Sequence, residues 1–182
     1  MPPPQSGRYA DWFIYTQHYR LIVELKSSIA GLMMRRNYPD IESILNYLEK
    51  FKEGVLQLDS TAQAYPDATR TTIKILVHYE ILGLSDGFLR PIVVDAIKEK
   101  LENTEHVYFC DINEFEWFIS ILGSSESVAE SILAAKIDME SKPAEGREFS
   151  QVIPRITDIG NLYIEKVLNH WDTYIPGLKS IN

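Results

Sequence analysis

Apolar positions along the chain change their period several times, and each change marks an element. Residues 12–15 and 19–26 are short runs rich in aromatic and branched side chains, which suit a pleated strand, and residues 16–18 form the turn between them. Residues 27–37, holding Met33, Met34, Arg35 and Arg36, are a connection. From Pro39, a residue suited to a first helical turn, the spacing becomes helical through Ile41, Ile44, Leu45, Leu48, Phe51, Val55, Leu58, Ala62 and Tyr65, until Pro66 ends the run. The unbroken apolar stretch around Ile73, Ile75, Leu76 and Val77, within residues 71–79, predicts a buried central strand. Gly83, Asp86 and Gly87 mark a loop, residues 91–101 a helix and residues 106–110 a further short strand.

Asn113 followed by Glu116 fits a capping box opening a helix that reaches Leu122. Ser124 or Ser125 then caps a helix over residues 126–137. A last helix is expected from about Pro154 to Trp171, its inner face built from Ile156, Ile159, Tyr163, Val167 and Trp171. Interleaved strands and helices imply an α/β fold, and the adjacent first pair makes the sheet mixed. The expectation is a mixed central sheet flanked by helices, in one domain over residues 1–182. Its core covers residues 10–122, and a C-terminal helical part covers residues 124–182.

Composition narrows the class. The chain has 182 residues, of which 45% are hydrophobic and 24% charged, enough to bury one ordinary core. The proline-rich start and residues 141–150 look loose. No apolar run approaches the ~20 residues that span a bilayer, and the polar N-terminus has no signal-peptide core. The one cysteine, Cys110, excludes an internal disulfide and a thiolate metal site; beside Tyr108 and Phe109 it reads as a small buried strand residue. These features place the protein in the cytoplasm, with no membrane partner. The net charge of −8 argues against non-specific DNA coating, which depends on neutralising phosphates, but leaves room for a local metal site.

The chemistry concentrates near the N-terminus. Alternation along the second strand puts Leu21, Val23 and Leu25 on one face and Ile22, Glu24 and Lys26 on the other. A hairpin returns Asp11 toward Glu24 and Lys26, so two carboxylates and a lysine converge at one sheet end. Mg²⁺ takes oxygen ligands, often only one or two carboxylates, and completes its shell with water and phosphate. Such an ion polarises a phosphodiester and acidifies a bound water, while a neighbouring lysine orients that water or neutralises the transition-state phosphate.

Asp11 followed by Glu24-Leu25-Lys26 on the next strand resembles the motif of the PD-(D/E)xK nuclease superfamily, whose fold is restriction-endonuclease-like. Ser27-Ser28 after the lysine, the long helix with Gln57-Leu58 and the later strand with Val77 are similar to defence-associated members, and the likeness covers residues 10–122. It implies a DNA endonuclease using Mg²⁺ (or Mn²⁺), with Asp11 and Glu24 as metal ligands, Lys26 acting on the water or phosphate, and Gln57 supporting the site or touching substrate. The family's Pro before the Asp is Ala10 here. Only ten residues precede Asp11, too few for the helix and strand that open the family's core, so the expectation is a nuclease or a fragment of one.

Other candidates carry less. His18, His78, His106 and His170 show no ligand spacing, and no Gly-x-Ser-x-Gly elbow or phosphate-binding loop is present. Asp111, Glu114 and Glu116 sit where a helix start wants acidic residues. Arg35 and Arg36 offer a small basic edge for DNA, and Trp117, Phe118 and Ile121 read as core. The acidic charge also suits a different class, a non-catalytic immunity or regulatory subunit with a protein partner.

Overall fold

A computed structural model describes residues 9–26, 41–79, 106–140, 149–162 and 164–166, with the side chains of residues 41–48 and 140 left aside. The expected connection at 27–37 with Arg35 and Arg36, Pro39, the loop at Gly83 and Gly87, the helix at 91–101, His170, and the helix positions Tyr163, Val167 and Trp171 lie outside the described residues. The chain divides into two compact units, Met1–Ile112 and Asn113–Asn182.

The first unit is α/β. Strands β1 (Trp12–Tyr15) and β2 (Tyr19–Lys26) form an antiparallel hairpin, followed by helix α1 (Ile41–Ala64) and strands β3 (Thr71–His78) and β4 (Val107–Asp111). The sheet is mixed, in the order β1-β2-β3-β4, with β3 parallel to both β2 and β4. The hairpin turn is closed by Thr16, whose amide donates to the Tyr19 carbonyl while its hydroxyl accepts from the Tyr19 amide. Leu21, Ile22 and Val23 of β2, and Ile73, Ile75, Leu76 and Val77 of β3, are fully buried. Burial on both faces explains the nearly unbroken apolar sequence of β3, as expected for a parallel central strand.

Helix α1 lies across one face. Its Phe51, Val55 and Leu58 close a core with Ile22, Leu76, Val107 and Phe109. Burying each such side chain contributes about 1.5–3 kcal/mol, so this seam anchors the helix to the sheet. Two polar ties set its C-terminal half. Asp59 pairs with Lys74 at 3.1 Å, both nearly buried, and Gln63 Nε2 donates to the other Asp59 oxygen. Buried Arg20 donates to the Thr72 hydroxyl and to the Tyr65 carbonyl at the helix end. Beyond Pro66, Asp67 accepts from the amide and hydroxyl of Thr69, forming the turn that feeds β3. Strand β4 starts one residue later than the sequence suggests. His106 adopts a φ of 54°, which breaks the extended run before Val107.

The second unit carries α2 (Ile112–Ser124), α3 (Glu126–Glu140) and α4 (Phe149–Ile156). Phe118 and Phe149 pack with ring centroids 5.3 Å apart, among buried Ile121, Ile132, Leu133, Val152 and Ile153. Ser125 caps α3, accepting from the Val128 amide, as expected for one of the two serines proposed.

Two helix boundaries need correction. Helix α2 begins at Ile112, directly after β4, so Asn113 lies inside the first turn and is not the cap. The expected last helix is broken. Helix α4 ends at Ile156, near where that helix was to begin, and residues 157–161 are not helical. There the Thr157 hydroxyl accepts from the Ile159 amide, and the Asn161 side chain accepts from the Ile164 amide, so local side-chain capping stops one helix and starts another turn. Ile156 and Ile159 keep the right spacing, but the intervening turn takes them off a shared helix.

Candidate functional site

The hairpin register builds the site. Trp12 pairs with Val23, and one further step sets Asp11 opposite Glu24, on the α1 side of the sheet. Asp11 Oδ2 accepts the Leu25 amide at 2.8 Å, which fixes the exposed carboxylate against the end of β2. Glu24 is the buried partner, only 4% exposed. Its Oε1 lies 2.6 Å from Lys26 Nζ, and its Oε2 is buried with no hydrogen-bond partner among the described residues. Lys26 Nζ also donates to Gln57 Oε1 at 2.6 Å, which ties the end of β2 to α1. The structure therefore brings Glu24, Lys26 and Gln57 into one chain of contacts, and holds Asp11 beside them through the backbone of β2.

The electrostatics follow from the charge count. Burial is the main cause that pushes the Glu24 carboxyl above its ordinary value, and the Asp11 negative charge adds to it; the Lys26 ammonium opposes both. Two carboxylates against one ammonium, with one carboxylate oxygen unsatisfied, make a site that gains from a further cation. Among the described residues no group of three or more His, Cys, Asp or Glu side chains gathers as a metal cage. The donor set present is two carboxylates, one exposed and one buried, whose chemistry suits a hard ion with oxygen ligands and not a structural zinc.

Two positioning residues were not singled out in the sequence. Thr61, fully buried on α1, donates from its hydroxyl to the Gln57 carbonyl at 2.7 Å and accepts the Ala10 amide at 2.8 Å. It pins the residue before Asp11 to the helix that bears Gln57. Gly54, one turn before Gln57, leaves room for the Lys26 stem: a Cβ there would stand 2.8 Å from Lys26 Cε and 2.5 Å from Leu76 Cδ1. A glycine in the interior of a 24-residue helix costs about 1 kcal/mol relative to alanine, and that was the signal available.

The parallel register extends the row. Lys26 of β2 stands beside His78 of β3, and His78 beside Asp111 of β4, all at the C-terminal strand ends where open α/β sheets bind ligands. His78 is buried and meets the Phe51 ring edge-on at 5.8 Å, so its place is largely core. Cys110 is buried in β4, as its neighbours suggested, and its thiol donates to the Asp111 carbonyl. Glu114 is buried and accepts the Ser150 amide at the start of α4, a capping role consistent with an acidic helix terminus. No helix among the described residues is long and apolar enough to cross a membrane. No family model matches the chain, and neither a curated protein nor a solved structure does.

Proposed function

We propose that this chain is a metal-dependent phosphodiesterase acting on DNA, with a restriction-endonuclease-like core, or the catalytic piece of such an enzyme. The observation that carries the reading is the Glu24–Lys26–Gln57 contact chain beside an unsatisfied, buried Glu24 oxygen, with Asp11 facing it across the hairpin. An antiparallel pair, a long helix and a parallel third strand, in that order, also support the core.

Each residue has a separable task. Asp11 and Glu24 would hold Mg²⁺ or Mn²⁺ through their carboxylate oxygens. A divalent ion there supplies charge to the phosphodiester and acidifies a water. Lys26 is restrained by Glu24 and Gln57, and its ammonium would serve as the donor to an attacking water or to the developing phosphate charge. Gln57 restrains the lysine from the helix side and does not itself need to touch DNA.

Incubation of plasmid and single-stranded DNA with Mg²⁺ or Mn²⁺ tests this, comparing the wild type with Glu24→Ala and Lys26→Ala. Cleavage by the wild type, lost in both variants while both remain folded, is the expected result; metal-independent cleavage, or full activity in either variant, rejects it.

The net charge of −8 favours a second reading, a regulatory or immunity subunit that binds a basic protein. Calorimetry separates the two: binding of Mn²⁺ that requires Asp11 and Glu24 supports the nuclease, whereas one tight protein partner with no metal uptake supports the subunit.

A further inference from the structure

We propose that Gly54 is a positioning residue: the missing side chain on α1 forms the slot through which the Lys26 stem reaches Gln57. The inference rests on the nuclease reading only for its consequence in turnover; the slot itself is read from geometry.

Three observations meet at this position. A Cβ on residue 54 would fall 2.8 Å from Lys26 Cε, inside any normal carbon contact, and 2.5 Å from Leu76 Cδ1. Gln57, three residues on and so on the same helix face, takes the Lys26 ammonium at 2.6 Å. Thr61, a further turn along, holds the Gln57 carbonyl and the Ala10 amide. Gly54, Gln57 and Thr61 thus form one stripe of α1 that touches both strands at the open end of the hairpin bearing Asp11, Glu24 and Lys26. Helix propensity alone favours alanine at residue 54, so the glycine is explained by what passes over it.

A new Cβ would meet two side chains, the Lys26 stem and, at the shorter distance, Cδ1 of the buried Leu76, so both have to shift. Gly54→Ala is therefore accommodated by displacement, and the side chain with solvent to move into is Lys26, whose side chain is 17% exposed against a fully buried Leu76. Displacing Lys26 breaks its bond to Gln57.

Competitive acylation of lysine amines, read by peptide mass spectrometry on the full chain, follows that displacement directly. Exposed Lys50 on the same helix serves as the internal reference. Lys26 in Gly54→Ala is expected to label roughly fivefold faster than in the wild type, the scale of one lost hydrogen bond, and Gln57→Ala is expected to move it in the same direction. Unchanged Lys26 labelling in folded Gly54→Ala overturns the proposal. If that variant does not fold, the double variant Gly54→Ala with Lys26→Ala decides: recovery of folding places the clash on Lys26, and continued failure assigns the glycine to Leu76 packing and overturns the proposal. The labelling readout needs no nuclease activity, so an inactive wild type rejects the function above and leaves this inference standing or falling by itself. Where cleavage is present, Gly54→Ala is expected to lower kcat by roughly tenfold with KM for DNA little changed, the pattern of a misplaced group and not of lost substrate binding.

Discussion

At the residue scale, Glu24 is the unusual member of the site. It is nearly buried, its carboxyl is pushed upward chiefly by burial, and one oxygen has no partner among the described residues. Below its ordinary value of 4.5 the group is protonated whether the chain is folded or not, and contributes nothing. As the pH rises through the higher folded value, the unfolded chain ionises more readily, so the wild type loses stability relative to a neutral isostere. Glu24→Gln is therefore expected to gain on the wild type between acid and neutral pH in metal-free buffer, measured by urea unfolding at several pH values. A constant difference across that range rejects the burial assignment. On the proposed reading the same substitution also removes a metal ligand, so greater stability and lost cleavage are expected together. Lys26→Ala is expected to reduce kcat by roughly 10²–10³-fold, the usual effect of deleting a donor aimed at developing charge, without loss of fold.

At the scale of elements, the hairpin and α1 were the most legible. The bounds of β1 and β2 follow from their composition, and the alternation in β2 put Glu24 and Lys26 on one face because a side-chain period of two leaves no other choice. Pro66 and the apolar spacing gave the end of α1 to within two residues. Gly54 and Thr61 were not legible as site residues, because their roles come from what another element brings against them. The segment after Pro154 failed for a different reason. Ile156, Ile159 and Tyr163 are spaced like a helix face, but Thr157 and Asn161 capture backbone amides locally and outcompete continuation. Thr61→Val, which keeps the shape and removes both hydrogen bonds, is expected to destabilise the protein by about 1–2 kcal/mol, since it leaves the part-buried Ala10 amide without that acceptor. Circular dichroism with chemical unfolding measures this; a change inside experimental scatter removes Thr61 from the positioning stripe. Asp59→Ala leaves Lys74 buried without that carboxylate and is expected to cost more, about 3–5 kcal/mol.

At the scale of the whole molecule, the net charge and the proposed cation site would act against each other. A chain at −8 repels DNA at long range, so on the nuclease reading productive binding would have to come from the metal and a local basic edge. If Asp11 and Glu24 bind the ion in the folded state alone, the ion must also stabilise the fold, because a ligand that binds only the native form shifts the unfolding equilibrium by mass action. At a hundred times the dissociation constant that shift is about 2.7 kcal/mol. For a chain of 182 residues it corresponds to a rise in Tm of roughly 5–10 °C in the transition that contains the first unit. The rise should grow as the pH increases, because burial favours the proton on Glu24 and that proton competes with the metal. Calcium offers the control: it is a hard ion that takes the same oxygen ligands and should stabilise without supporting cleavage at the rate of Mg²⁺. Glu24→Ala is expected to abolish the metal-dependent rise, whereas Gln57→Ala, which touches only the lysine, should retain it. Equal thermal shifts in the wild type and Glu24→Ala would mean that the ions act elsewhere on an acidic surface, and the two-carboxylate site would then have no claim to the metal.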